Sequence, residues 1–210
     1  MNNKEKVTEI IRRLRKSYPD HSTALNYKTP FELLVATILS AQSTDVQVNK
    51  ITPSLFRKYK SIRDYAEVPL ATLQKDVSSV NFFNNKAKNI QASARMIMDR
   101  FGSKVPATMA ELVTLPGVAR KTANIVLSSA FGINEGIAVD THVIRLSNRL
   151  GLTKHQDPVR IETDLMPVTD KKDWAELSNL LIYHGRNICK AKKPDHANCV
   201  LNDICPSRDI

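Results

Sequence analysis

The chain has 210 residues, enough to bury one substantial hydrophobic core or two small ones. Its composition, with 42% hydrophobic and 25% charged residues, excludes a wholly disordered chain. Because the sequence has no long apolar run and no secretory signal, we expect a cytoplasmic protein with no membrane partner. The formal charge of +10 indicates a nucleic-acid partner or, as the alternative, a basic surface that only faces solvent.

Helical periodicity dominates the sequence, and clean alternation of apolar and polar residues is absent. An amphipathic first helix is predicted by the spacing of Val7, Ile10, Ile11 and Leu14. Thr29, Pro30 and Glu32 predict a capping box with proline at the first helical position. That helix has an apolar stripe at Phe31, Leu34, Val35 and Ile38. Further helices are predicted over residues 45–59, 70–78, 84–101, 108–114, 118–131, 140–150, 158–166 and 171–188, so the fold class is all-α.

The segment at residues 107–127 predicts two helices joined by a tight turn. Proline and glycine at Pro116 and Gly117 end the first helix, since proline cannot continue it and glycine accepts turn dihedral angles. Arg120 and Lys121 lie in the first turn of the second helix, where the helix dipole disfavours cations. A DNA phosphate bound by the turn amides would compensate this charge. The alternative is an ordinary helical hairpin with two solvated basic residues.

The three cysteines, Cys189, Cys199 and Cys205, all lie near the C-terminus. Disulfides are not expected of an odd number of cysteines in a reducing compartment. Clustering at one end of the chain indicates metal ligation instead.

Several motifs together resemble those of the endonuclease III family. They are SAQSTD (40–45), FFNNKAKNI (82–90), LPGVARKTAN (115–124) and VDTHVIRLSNRLG (139–151). The resemblance implies a bifunctional DNA glycosylase and AP lyase that excises oxidised or ring-damaged pyrimidines and nicks the strand by β-elimination. The implied partner is double-stranded DNA containing damaged bases or abasic sites, bound by a monomer.

The resemblance also implies an architecture of two helical lobes with a DNA-binding cleft between them. One lobe is a six-helix barrel domain over residues 22–133, which includes the helix-hairpin-helix motif at about 107–127. The second helical domain combines residues 1–21 with residues 134–210 and carries the C-terminal cluster loop at 189–205.

Lys121 and Asp140 are the expected catalytic residues. Attack of an amine on the sugar C1′ leaves a Schiff base, which permits β-elimination and strand scission. The resemblance makes Lys121 the nucleophile and Asp140 the carboxylate that activates it and stabilises the charged sugar. Taken alone, Lys121 could be a solvated lysine and Asp140 an N-cap, while His142 has either a structural or a supporting role.

The resemblance also assigns residues that contact DNA. Gln42 would fill the gap left by a flipped base and Phe82 would wedge the opposite strand, with Phe83 as the alternative wedge. Asp45 either caps a helix or lines the base pocket. Further contacts to the DNA backbone are expected from Gly117, Ala119, Arg120, Lys190, Lys192 and Lys193.

Two positions depart from the family's pattern. The family ligates a 4Fe–4S cluster with Cys-x6-Cys-x2-Cys-x5-Cys, whereas this chain has Cys189-x6-His196-x2-Cys199-x5-Cys205. A cluster with one histidine ligand is expected, with zinc or no metal as the alternatives. Ala119 stands where the family usually has glycine. Alanine lowers the folding stability by about 1 kcal/mol if this position needs a positive φ, and it is favourable if the position is helical.

Two other functions stay open on the sequence. One is a monofunctional glycosylase of the same superfamily, whose adenine-removing branch lacks the lysine and has an extra C-terminal domain. Lys121 and the end of the sequence at Ile210 favour the lyase branch over it. The other is a non-catalytic helix-hairpin-helix DNA-binding protein, against which the pair of Lys121 and Asp140 argues.

Overall fold

The computed structural model describes residues 2–208, and this part of the chain contains α-helices and short 3₁₀ turns but no β-strand. The expectation of an all-α fold is confirmed. Within the same residues no helix is both long and apolar enough to cross a membrane. The helices are α1 (Asn3–Ser17), α2 (Pro30–Ser40), α3 (Asp45–Lys58), α4 (Ile62–Glu67), α5 (Leu70–Asp76), α6 (Phe83–Phe101), α7 (Met109–Leu112), α8 (Arg120–Phe131), α9 (Thr141–Arg149), α10 (Pro158–Leu165) and α11 (Trp174–Asn187).

The chain divides into two compact units, each with its own hydrophobic core. The continuous unit is Ala24–Ile133, and the two-part unit combines Met1–Thr23 with Asn134–Ile210. The division at residues 23 and 24 lies two residues from the boundary expected at 21 and 22, and the division at 133 and 134 coincides with the expected one.

Helix α2 is the centre of the continuous unit and packs against α3, α6 and α8. Every residue from Phe31 to Leu39 except Glu32 is buried, so this helix is apolar on nearly all sides rather than along a single stripe. Helices α4 and α5 pack on α6, and α7 packs on α8. The hairpin is therefore tied to the core through the long buried face of α8.

The two-part unit is organised around α11, which packs against α1 and α9. The stripe expected on α1 is confirmed, because its four apolar residues are all buried in this core. The three cysteines pack at the edge of the same core, where each is half-buried. The C-terminal segment is thus anchored to α9 and α11 by the packing of its own side chains.

Two local expectations need correction. The Thr29 hydroxyl does accept the amide of Glu32, at 3.2 Å, but the Glu32 carboxylate accepts the amide of Lys28 rather than that of Thr29, so the capping box is only half formed. Helix α4 was not among the predicted stretches. It begins with a capping box between Ser61 and Asp64. With only six residues, the helix is too short for a period of apolar residues to be visible in the sequence.

Candidate functional site

The turn of the hairpin requires glycine at position 117. Gly117 has a φ of +79°, and a Cβ added there would lie 2.9 Å from both Cβ and Nδ2 of Asn89 on α6. The neighbouring carbonyl of Pro116 accepts the Ser93 hydroxyl at 2.8 Å. The turn is therefore fixed closely against α6 before any ligand is present.

Ala119 is accommodated without strain. Its backbone is extended, with φ −86° and ψ 169°, so the position neither needs a positive φ nor belongs to the helix, and neither effect expected of alanine applies. Ala119 is the N-cap of α8, where its methyl group cannot cap the helix. Arg120 and Lys121 follow as exposed residues, and the first turn of α8 contains no acidic residue. This helix start suits an anion.

Gln42 and Phe82 lie on two loops of the continuous unit, and both have backbone dihedral angles that bulky residues rarely adopt. Their φ values are +54° and +56°. The Phe82 side chain is 63% exposed, whereas Phe83 is half-buried against the core of this unit. Phe82 is thus the residue of the pair whose side chain faces solvent. Asp45 is the first residue of α3, and the cap of that helix is the Thr44 hydroxyl.

Asp140 is the N-cap of α9 in the two-part unit. Its Oδ1 accepts the amides of His142 at 2.8 Å and Val143 at 2.9 Å, so the capping role that the sequence left open is confirmed. His142 is half-buried, and burial lowers the pKa of its imidazole below the ordinary value. Its Nδ1 lies 3.2 Å from Nη2 of Arg145.

The predicted metal ligands come together in the two-part unit, where Cys189, His196, Cys199 and Cys205 line one small cavity. No three His, Cys, Asp or Glu side chains among residues 2–208 are close enough to hold a single metal ion. The donor set of three thiols and one imidazole around one cavity fits an iron–sulfur group, for which both are competent ligands.

Two further side chains contact the cavity sulfurs. Arg149 on α9 donates from Nη1 to Cys189 Sγ at 3.2 Å, and Nε2 of His184 on α11 lies 3.3 Å from Cys199 Sγ. Burial lowers the pKa of His184 to about 4 and raises the pKa of the Cys199 thiol. We did not expect these contacts from the sequence, although His184 continues the apolar stripe of Leu177, Leu180 and Leu181 and its burial could have been predicted.

The basic segment between the first two cavity residues is held from within its own unit. The Arg149 guanidinium donates to the carbonyls of Lys190 at 2.8 Å and of Ala191 at 2.9 Å. The side chains of Lys190, Lys192 and Lys193 are exposed. Three lysine side chains therefore face solvent from a short segment whose backbone is held at Lys190 and Ala191.

Comparisons with known proteins agree with this arrangement. The chain matches the HhH-GPD superfamily of base excision DNA repair proteins over residues 35–171 and the iron-sulfur binding domain of endonuclease III over residues 189–205. It is 53% identical over 204 residues to an endonuclease III from Synechocystis sp.. These residues cover 97% of this chain and 93% of the relative. An endonuclease III from Bacillus subtilis is 46% identical over 206 residues, covering 98% and 94%. A solved structure of a trapped endonuclease III–DNA covalent intermediate is similar with a TM-score of 0.93 and 42% identity, covering 99% of this chain and 98% of that one.

Proposed function

The chain belongs to the endonuclease III family, the DNA glycosylases and AP lyases of base excision repair within the HhH-GPD superfamily, and we propose that Lys121 and Asp140 carry its chemistry on damaged pyrimidines. The resemblance inferred from the motifs is confirmed. The observation that carries the assignment is the exposed lysine in the first turn of α8, directly after a turn whose geometry suits a phosphate.

Lys121 attacks the sugar C1′ of the damaged nucleotide with its unprotonated amine. The bond between C1′ and the base breaks, and the base leaves with the bonding electron pair. Transfer of a proton from the attached nitrogen to the ring oxygen O4′ breaks the bond between C1′ and O4′, which opens the sugar and gives a Schiff base. Removal of a C2′ proton then expels the 3′ phosphate by β-elimination, and water releases the lysine.

Asp140 supplies the negative charge that this reaction needs. Positive charge develops at C1′ as the base departs, and a carboxylate stabilises it electrostatically. Because Oδ1 accepts two backbone amides at the start of α9, the carboxylate is held in one orientation before substrate binds. The same residue therefore starts a helix and presents a fixed charge.

The DNA is bound by contacts of two kinds. The turn amides at Gly117 and Ala119, with Arg120, bind a phosphate, as do Lys190, Lys192 and Lys193 of the C-terminal segment. Gln42 fills the gap left by the flipped base, and Phe82 wedges the opposite strand. The exposure of Phe82 and the burial of Phe83 support this choice between the two phenylalanines.

Residues 189–205 form an iron–sulfur binding domain. Cys189, His196, Cys199 and Cys205 would hold a 4Fe–4S cluster, whose chemistry here is to fix the fold of the segment that carries the three lysines. Arg149 supports this role, since it donates both to Cys189 Sγ and to the backbone of that segment. Replacing one thiolate by a neutral imidazole raises the reduction potential of such a cluster.

Borohydride trapping tests the assignment of Lys121. The wild-type protein mixed with a duplex containing an abasic site or an oxidised pyrimidine is expected to give a covalent adduct on reduction, because borohydride converts the Schiff base to a stable amine. Lys121→Gln should give no adduct. Arg120→Gln is the matched control, since it removes the neighbouring cation, and it should weaken DNA binding yet still be trapped at saturating protein. An adduct with Lys121→Gln would assign the nucleophile elsewhere. No adduct with the wild type would refute the lyase activity and leave a monofunctional glycosylase or a non-catalytic DNA-binding protein.

A further inference from the structure

The loops that carry Gln42 and Phe82 are joined by hydrogen bonds within the continuous unit. The side chain of Asn81 donates to the carbonyl of Gln42 at 2.7 Å, and the amide of Asn81 donates to Ser43 Oγ at 3.1 Å. A third bond runs from Gln47 Nε2 to the carbonyl of Ser79 at 3.3 Å. Asn81, which directly precedes Phe82, thus holds both Gln42 and Ser43 in place.

A buried lysine supports this junction from beneath. Lys86 is only 5% exposed, and its ammonium group donates to Ser43 Oγ at 3.0 Å and to the carbonyl of Leu39 at 2.8 Å. The Leu39 carbonyl is one of the last in α2, where the helix dipole favours a cation. Burial lowers the pKa of Lys86, which is consistent with a side chain kept for its hydrogen bonds rather than for a solvated charge.

The two loops need such support because of their backbone conformations. Gln42 and Phe82 are two of the three non-glycine residues with positive φ among residues 2–208. Left-handed conformations of bulky residues persist only where the surrounding structure determines them. The Asn81 side chain bonds to Gln42 itself, and the other hydrogen bonds hold Ser43 and Asn81, the chain neighbours of Gln42 and Phe82, so together they restrain both backbones.

We propose that Lys86, Ser43 and Asn81 are positioning residues that hold the Gln42 and Phe82 loops as one preformed device for opening the duplex. The inference rests on the proposed roles of Gln42 as gap filler and Phe82 as wedge. Loops that are already ordered lose little conformational entropy when they enter DNA, so the pair opens a base pair faster than two independent loops would. The chemistry at Lys121 does not depend on the junction once the base is exposed.

The test compares two substrates that differ only in base pairing. Single-turnover excision of one oxidised pyrimidine is measured in a fully paired duplex and in the same duplex with the lesion in an unpaired bubble. For Asn81→Ala and Ser43→Ala we expect the ratio of paired to bubble rates to fall about 3- to 10-fold, the equivalent of one or two net hydrogen bonds. Ser43→Thr keeps the acceptor oxygen and should keep the wild-type ratio.

Asn49→Ala is the matched control for a general loss of stability. Asn49 also joins two segments of the continuous unit, because its side chain donates to the carbonyl of Ala24 at 2.7 Å and accepts the amide of Asn26 at 2.9 Å. Its loss should lower the thermal midpoint about as much as Asn81→Ala does, without changing the rate ratio. A fall in the ratio for Asn49→Ala would mean that the effect reports stability alone, and the inference would be wrong.

Variants of Gln42 and Phe82 themselves, the direct variants, separate the positioning role from the gap-filling and wedge roles on which it rests. Gln42→Ala and Phe82→Ala should each lower the ratio. Asn81→Ala should add little to Gln42→Ala, because the Asn81 side chain acts by holding Gln42. If the direct variants lower the ratio and Asn81→Ala and Ser43→Ala do not, the positioning role is refuted while the wedge roles stand. If the direct variants leave the ratio unchanged, the wedge roles are wrong and the positioning role is refuted with them.

Discussion

At the scale of single residues, Asp140 combines a structural and a proposed catalytic function in one carboxylate. The structural part is the N-cap of α9, made by Oδ1 alone. Asparagine caps a helix about as well as aspartate but carries no charge. The two functions can therefore be separated by substitution.

We expect Asp140→Asn to keep nearly all of the folding stability and to lose excision and trapping, because the cap is preserved and the charge is not. Asp140→Ala should lose about 1 kcal/mol of stability as well, the usual effect of removing an N-cap. Denaturant unfolding and the trapping assay measure the two effects on the same preparations.

A second aspartate cap provides the control for this pair. Asp157 caps α10 by accepting the amide of Arg160 at 3.0 Å. Asp157→Ala should show a comparable loss of stability with excision unchanged. Full activity in Asp140→Asn would show that the charge is not needed and would remove Asp140 from the proposed mechanism.

At the scale of secondary-structure elements, sequence patterns located most helices because each long helix has one buried face and a polar remainder. Helix α1 is a clear example, with its stripe at the expected positions. Patterns describe α2 less well, because a helix buried on nearly all sides has no single stripe. The turn at Gly117 was predictable from Pro116 and Gly117 alone, since its conformation follows from local chemistry.

The site depends on contacts that no local pattern contains. The left-handed backbone at Gln42 and Phe82 opposes the preference of both residue types. It is held by bonds between residues far apart in sequence, such as that from Lys86 to Leu39, which are 47 residues apart. The one available signal was the charged residue Lys86 on the face of α6 that contains the apolar residues Ile90 and Ile97. Sequence could therefore suggest candidates for DNA contact but not the junction that orients them.

The proposed ligand role of His196 in the C-terminal segment can be tested by substitution. His196→Cys should retain the iron–sulfur cluster and shift its reduction potential to a more negative value, because a thiolate replaces a neutral imidazole. His196→Ala leaves three ligands and should lose iron and the visible absorbance of the cluster. Iron and zinc analysis together with a redox titration of the purified proteins measures both effects.

Asn198→Ala is the control for the His196 variants, since Asn198 lies in the same segment and bonds to Asp195. It should keep iron and the wild-type potential. Unchanged iron content and potential in His196→Ala would exclude His196 as a ligand. Zinc in place of iron in the wild type would assign the cavity to a different metal.

At the scale of the whole molecule, the charge of +10 is spread over both units, and its total does not say which cations meet DNA. The lysines at 190, 192 and 193 are proposed to do so because Arg149 holds the backbone of their segment at Lys190 and Ala191 and their side chains are exposed. A fixed cation that binds a phosphate releases a counterion from the duplex, whereas a cation elsewhere on the surface contributes only to the general field. The salt dependence of binding distinguishes the two.

A triple variant neutralises the three lysines together, as Lys190→Gln, Lys192→Gln and Lys193→Gln. We expect it to bind the duplex more weakly and to reduce the slope of log Kd against log salt by roughly 2 to 3. The reason is that each phosphate that a lysine neutralises adds about 0.9 to that slope. Fluorescence anisotropy with a labelled duplex at several salt concentrations measures the slope. The control neutralises three other exposed lysines, Lys16, Lys60 and Lys75, and so changes the net charge by the same amount. Because the two triple variants have equal charge, a slope that falls equally in both would mean that binding follows the total charge, and the C-terminal segment would lose its role in recognising DNA.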